Sequence, residues 1–356
     1  MVSHRYHYYD YKAGQGHTYQ ACRDYFDKQL RILPRILIDV TNVSLKTTIF
    51  GCIYESPIII APTAFHRLAH IDGEVATARG ATEAKCIYTY NWVYSTMPEE
   101  KVLQTTGNIQ ALSYLTFILF MILGPKFFHI YLTAPIDILE KIVPQVDKKG
   151  YRAIVVTCDD PTTRVRDHIL PLFLEASEYI DPTIFQTVET ANINMNDLCS
   201  EPTLTKKAIT WTNLERLRKL TRLPIICKGI LSPIDAEIAI KYGANGIIVS
   251  NHGSRLIDTT VPAIECLKEI INVVDGRAEV FVDTAIRTGT DVLKALALGA
   301  RAIFIGRPIL YGLCCGGHNG VQRVLDILKS ELTYDMACCG LTSIDQVNAD
   351  ILYKHA

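Results

Sequence analysis

Eight short, almost wholly apolar runs recur along the chain between Pro57 and Arg307, separated for the most part by segments of helical period. They are Pro57–Thr63, Cys86–Tyr90, Phe127–Leu132, Ala153–Asp159, Pro224–Gly229, Gly246–Asn251, Glu279–Thr284 and Ala302–Arg307. A strand that is apolar on both faces must be covered on both, which is the condition of a parallel sheet wrapped by crossover helices. Amphipathic segments at Gly73–Lys85, Pro233–Ala244, Ala263–Val274 and Thr290–Gly299 supply such helices, and Ser232 before Pro233 reads as a helix start. An open doubly wound sheet more often begins with a Gly-x-Gly-x-x-Gly turn, and the sequence contains none. The pattern therefore predicts an α/β fold of the closed (β/α)8 TIM-barrel type, with the 356 residues forming one domain.

Composition bears mainly on partners. A formal net charge of −1 gives no long-range field for nucleic acid or an anionic membrane, so any anion site has to be local. The eleven cysteines include no Cys-x-x-Cys, several lie in or beside apolar strand runs, and no secretory signal is read at the N-terminus. They are expected to be free thiols in a reducing compartment. The apolar run Ala111–Leu123 is shorter than the roughly 20 residues of a membrane-spanning helix. Residues 164–212 lack a clear period and fall after the fourth strand, where a lid is expected in a barrel.

Active sites of such barrels are built just beyond the C-terminal strand ends. Taken in order, those ends carry Thr63, then Asn91–Trp92, His129 with Tyr131, and Thr157 with Asp159. Lys228, His252 with Arg255, Asp283 with Arg287, and Gly306–Arg307 complete the circuit. Any one of these could be a solvated loop residue, but polar and ionisable groups at so many ends of apolar strands point to a site. The segment Ser250–Arg255 (SNHGSR) is the most specific, since it sets a base beside a cation able to hold a carboxylate. No metal-ligand cluster is read.

The blocks PRILIDVTNV, PIIIAPTAFHRLAHIDGE, LPIICKGI, GIIVSNHGSR, DVLKALALGA and IFIGRPIL resemble the FMN-dependent 2-hydroxy-acid oxidase family, which includes glycolate oxidase, in order from about Tyr8 to Leu352. The resemblance implies oxidation of (S)-2-hydroxy acids to 2-oxo acids, with O2 reduced to hydrogen peroxide and FMN as cofactor. It implies that His252 is the general base, that Asp159 pairs with its imidazole, and that Tyr131 hydrogen-bonds near the substrate hydroxyl. Arg255, Arg166 and Tyr9 are implied to hold the substrate carboxylate. For the cofactor it implies Lys228 beside the flavin N1–O2 edge, with Thr63, Ala64 and Thr157 at the ring and Asp283 at the ribityl chain. His129 stands where the family has a flavin-contacting glutamine, and Ser250 joins the cofactor set. Arg287, Gly306 and Arg307 are implied to hold the phosphate.

The departures are local. The Asp-Gly-Gly phosphate turn of the family reads Asp283-Thr284-Ala285, whose side chains are expected to obstruct close backbone approach. Near Tyr90–Val93 an ungapped match puts Trp92 at a flavin-contacting serine and Val93 at an aromatic that gates the substrate, whereas a one-residue slip restores the Trp; both alignments stay open. The stretch 108–123 has no counterpart and reads as an insertion, a membrane-touching loop or translated non-coding sequence. An alternative electron acceptor, or a relative with impaired FMN binding, is the rival functional reading. The resemblance also implies a homotetramer and a peroxisomal address, yet the chain ends Tyr353-Lys354-His355-Ala356 without the usual tripeptide, which leaves a cytoplasmic location open.

Overall fold

The computed structural model describes residues 3–105, 124–132, 136–161, 179 and 209–353. Two short strands, β1 (Thr47–Ile49) and β2 (Cys52–Tyr54), pair antiparallel as a hairpin. The eight that follow are β3 (Ile58–Ile60), β4 (Ile87–Asn91), β5 (Lys126–Tyr131) and β6 (Ala153–Thr157), then β7 (Ile225–Ile230), β8 (Gly246–Val249), β9 (Glu279–Val282) and β10 (Ala302–Ile305). They pair in parallel in chain order, and β10 closes on β3 to complete a barrel. All eight apolar runs became barrel strands, generally shorter than the runs, because polar residues at their C-terminal ends leave the ladder for the site.

Alternation along the strands separates two cores. Ile59, Ile87, Phe127, Val155, Ile226, Ile248, Phe281 and Phe304 form one cluster with Ile49 and Tyr54 of the hairpin. Ile58, Ile60, Tyr88, Phe128, Ile154, Val156, Ile247 and Val249 join the larger cluster built with the helices. Adjacent residues thus face opposite ways, the first set filling the barrel and the second receiving the helical coat. The hairpin plugs the end opposite the site, and Phe50 at its turn donates its N–H to Glu279 Oε1 at the start of β9 (2.8 Å).

Predicted helices appear as Gly73–Glu83, Pro233–Lys241, Ala263–Val274 and Gly289–Ala297. Ser232 caps the second through its hydroxyl and Ile234 N (3.1 Å), with Pro233 in the first turn. Asp291 closes a capping box with Thr288 at the fourth helix and also takes the N–H of Arg287, which orders the loop leading back to the site. Further helices at Ser3–Asp10, His17–Asp24, Glu99–Thr105, Ile136–Val146, Trp211–Leu220 and Arg307–Cys338 extend the prediction. The last is broken by non-helical backbone at Gly316 and Gly317. The ten described cysteines are free, and no helix among the described residues is long and apolar enough to cross a membrane. The 108–123 stretch and nearly all of 164–212 lie outside the described residues.

Candidate active site

A cavity of about 520 Å³ opens at the C-terminal ends of the barrel strands. Its wall is assembled from nearly every strand end: Thr63 and Ala64 after β3, Asn91 on β4, Tyr131 on β5 and Asp159 after β6. Lys228 on β7, Ser250–Gly253 and Arg255 after β8, Asp283–Arg287 after β9, and Gly306–Arg307 after β10 complete it. The size falls within the roughly 300–1,000 Å³ of small-molecule and cofactor sites.

His252 and Asp159 meet across two loops. His252 Nδ1 lies 3.0 Å from Asp159 Oδ1, and its backbone N–H donates to Ser250 Oγ (3.0 Å). Burial alone would raise the Asp159 pKa, but the charges of His252 and Lys228 outweigh it and hold the carboxyl below its ordinary value. A carboxylate acceptor fixes the imidazole hydrogen on Nδ1 and leaves Nε2 as the basic atom. Gly229 makes the approach feasible. It sits at φ +104°, and a Cβ there would fall 2.3 Å from Asp159 Cγ. Lys228 and Asp283, both buried, lie 3.7 Å apart beside this pair.

His129 is fully buried. Its Nε2 is 2.7 Å from Thr157 Oγ1, its ring packs edge-on to Tyr131 (4.9 Å), and its Nδ1 has no hydrogen-bond partner among the described residues. Burial, then the charges of Lys228 and His252, push its pKa well below the ordinary histidine range, so it is neutral at pH 7. Tyr131 lines the cavity, and burial holds its phenol protonated. Thr157 is buried beneath it, paired to Lys228 through the β6–β7 ladder.

Three arginines gather at the β8–β10 side. Arg307 donates through Nε to Tyr9 O (2.8 Å), through Nη1 to Gly253 O (2.9 Å) and through Nη2 to Tyr11 O (2.8 Å). Arg255 Nη1 donates to the same two tyrosine carbonyls (3.1 and 3.4 Å), and its guanidinium lies over the rings of Tyr8 and Tyr11. Arg287 Nη1 donates to Ile286 O (2.8 Å). None of the three has a carboxylate partner among the described residues. Burial, then the like charges of Arg255 and Arg287, bring Arg307 down to about 10, still cationic near neutrality. Half-buried cations crowded together with no carboxylate partner among the described residues suit an anion.

Some expectations are redirected. Tyr9 lines the cavity, and its phenol donates to Phe65 O (2.7 Å) within a buried cluster with Phe65, Leu68 and Leu310. The Tyr9 carbonyl, not its hydroxyl, is what the arginines use. Tyr11, two residues on, also lines the cavity beneath Arg255 and was missed, because three tyrosines in four positions give no sign of how many of them face inward. At the disputed alignment Trp92 is buried in the core, while Tyr94 lines the cavity and packs edge-on to Tyr131 (5.2 Å). Thr284 and Ala285 adopt the left-handed backbone that glycines would provide, with φ of +77° and +63°. Arg166 lies outside the described residues.

The signature of the FMN-dependent dehydrogenase family matches residues 1–354. 2-Hydroxyacid oxidase 2 of Rattus norvegicus is 38% identical over 343 residues, covering 96% of this chain and 91% of the relative. Glycolate oxidase of Spinacia oleracea is 34% identical, covering 96% and 89%. Among solved structures, mandelate oxidase with (S)-2-phenylpropionate superposes with a TM-score of 0.82 at 31% identity, covering 99% of this chain and 94% of that one.

Proposed function

The chain belongs to the FMN-dependent dehydrogenase family, and from that premise we propose that it oxidises (S)-2-hydroxy acids to 2-oxo acids with O2 as the electron acceptor, forming hydrogen peroxide. The residues present fit FMN. The uncompensated arginines suit its phosphate, the buried Lys228 ammonium suits the electron-rich edge of the ring, and the orphaned Nδ1 of buried His129 leaves a polar contact to be filled. Arg287, Gly306 and Arg307 would hold the phosphate, and Asp283 the ribityl chain. Thr63, Ala64, Thr157, Ser250, His129 and Lys228 would surround the ring. When bound, FMN supplies the two-electron acceptor, which O2 regenerates.

The protein's own part is to bind, orient and deprotonate. Arg255 would hold the substrate carboxylate, helped by Arg166 and Tyr9 and by Tyr11, which also lines the cavity beneath the same guanidinium. Tyr131, kept protonated by burial, would donate toward the substrate hydroxyl. His252 Nε2 would accept the substrate proton, and Asp159 would stabilise the imidazolium that results. The single observation that carries this reading is the 3.0 Å His252–Asp159 pair facing a cavity lined with arginines that have no carboxylate partner among the described residues. Small hydroxy acids would be the substrates and a homotetramer the assembly, and a peroxisomal setting is in keeping with a relative of Arabidopsis thaliana, 35% identical, named as a peroxisomal (S)-2-hydroxyacid oxidase. Flavin content and peroxide release on 2-hydroxy acids of several lengths test the proposal. Protein that stays colourless with excess FMN, or yellow protein whose flavin no 2-hydroxy acid reduces, would sink it.

A further inference from the structure

Backbone strain is concentrated where the site is built. Ten non-glycine residues have positive φ among the described residues, and four of them lie in two facing loops: His252 (+59°) and Ser254 (+61°) after β8, Thr284 (+77°) and Ala285 (+63°) after β9. Gly253 between the first two is also left-handed, at +66°. Such backbone disfavours ordinary side chains, and a β-branched residue most of all, so it persists only where the surroundings over-determine it. Thr284 is therefore the most anomalous member of the set.

Its hydroxyl also joins the two loops. Gly253 N donates to Thr284 Oγ1 (3.3 Å), and Thr284 Oγ1 is placed to donate to Asp283 Oδ1 (2.8 Å) or Asn251 Oδ1 (3.1 Å). Asn251 Oδ1 in turn accepts from Ser254 N (3.0 Å). The hydroxyl thus reaches the loop on both sides of His252, accepting from Gly253 N and lying within donating distance of Asn251 Oδ1. Both loops rest on the helix His17–Asp24. Asn251 Nδ2 donates to Cys22 Sγ (3.2 Å), and Arg23 Nη1 donates to Ala285 O (2.6 Å) and to Asp291 Oδ2 (2.7 Å). A glycine at 284 would adopt the same φ without strain, but would leave Gly253 N without this acceptor.

We propose that Thr284 is a positioning residue for the proposed base: its hydroxyl ties the turn after β9 to the loop after β8 and holds His252 in the orientation that meets Asp159. This rests on the oxidase reading for the role of His252, and goes beyond it by giving the residue a reason to occupy a position whose backbone suits glycine. The strain is thereby converted into orientation of a side chain one loop away.

Three variants separate this from a merely tolerated side chain. Thr284→Val keeps the shape and removes the hydroxyl, Thr284→Gly relieves the backbone and removes it, and Thr284→Ser restores it. For each, flavin reduction by substrate under anaerobic single turnover is read together with KM, the FMN dissociation constant and the Tm of FMN-free protein. The expected result is a reduction rate lowered about tenfold or more in Thr284→Gly and Thr284→Val at saturating substrate, with KM within about twofold, and near-complete recovery in Thr284→Ser. Thr284→Gly should show this loss even though its Tm equals or exceeds that of the parent. A Thr284→Gly protein that reduces its flavin as fast as the parent would overturn the proposal, as would a Thr284→Ser protein as slow as the glycine variant. Because each rate is taken relative to the parent, failure of the oxidase reading appears separately, as a parent whose flavin is not reduced at all.

Discussion

Gly229→Ala should slow catalysis through Asp159, a residue it does not replace. A Cβ at position 229 would lie 2.3 Å from Asp159 Cγ and 2.4 Å from its Cβ. Ordinary carbon contacts begin near 3.5 Å, so the carboxylate must retreat by about 1 Å. That lengthens the 3.0 Å His252–Asp159 contact to about 4 Å, outside hydrogen-bonding range. A hydrogen bond to a charged group is worth about 1.5–3 kcal/mol, and this one is needed most when the imidazole is protonated. The loss corresponds to about a ten- to hundredfold slower flavin reduction. Alanine at φ +104° also strains the backbone, at a cost of about 1–2 kcal/mol that a thermal melt would register separately. The assay is anaerobic rapid mixing of FMN-loaded protein with a 2-hydroxy acid, with flavin content measured first. A variant with lowered Tm, full flavin content and a rate within twofold of the parent would refute the claim that Asp159 must sit against His252.

Two further perturbations follow from buried charge. Arg307→Met should release FMN and regain much of its turnover when excess FMN is added, whereas Arg255→Met should stay yellow and need about ten- to a hundredfold more substrate, as flavin content and KM will show. The reverse pattern would exchange the two roles, which the shared carbonyls of Tyr9 and Tyr11 make a demanding test. His129 is buried neutral, with a pKa well below 6.5, whereas the unfolded chain takes up a proton near 6.5. Stability should therefore fall as pH drops below that point, and His129→Gln, which cannot titrate, should lose about 1 kcal/mol less between pH 7 and pH 5.5 by denaturant titration. An equally steep loss in the variant would mean that His129 is already solvated or protonated in the folded protein.

The barrel strands were legible because burial on both faces leaves a signature that depends on nothing distant: a run such as Ala153–Asp159 has no polar side to hide. The hairpin β1–β2 was not, since three-residue strands whose sequence TTIFGCIY alternates weakly become ordered only by plugging the barrel. The Arg307–Cys338 helix was obscured by Gly316-Gly317, which break its period in the middle. Pro144 similarly interrupts the pattern of Ile136–Val146, although its missing N–H falls near the helix end.

Legibility of the site divides along the same line between local and distant causes. His252 and Arg255 share one short segment, and Asp159 and Lys228 end adjacent strands, so strand order alone brings them to one mouth. That Tyr11 joins Tyr9 at the cavity depends on how the end of the helix Ser3–Asp10 lies across loops more than 240 residues away, and no local pattern encodes it. Thr284 and Ala285 are the harder case, because their sequence argues against the conformation they adopt. Left-handed backbone is ordinarily carried by glycine, whereas the expectation for these side chains concerned close approach of the turn to the phosphate. The structure instead meets the strain with a network from Arg23, Asn251, Gly253 and Asp291, contributed by three separate stretches of chain. A local rule fails at a position like this because the compensating bonds are all non-local, and for the same reason the failure marks where the fold has spent stability on geometry.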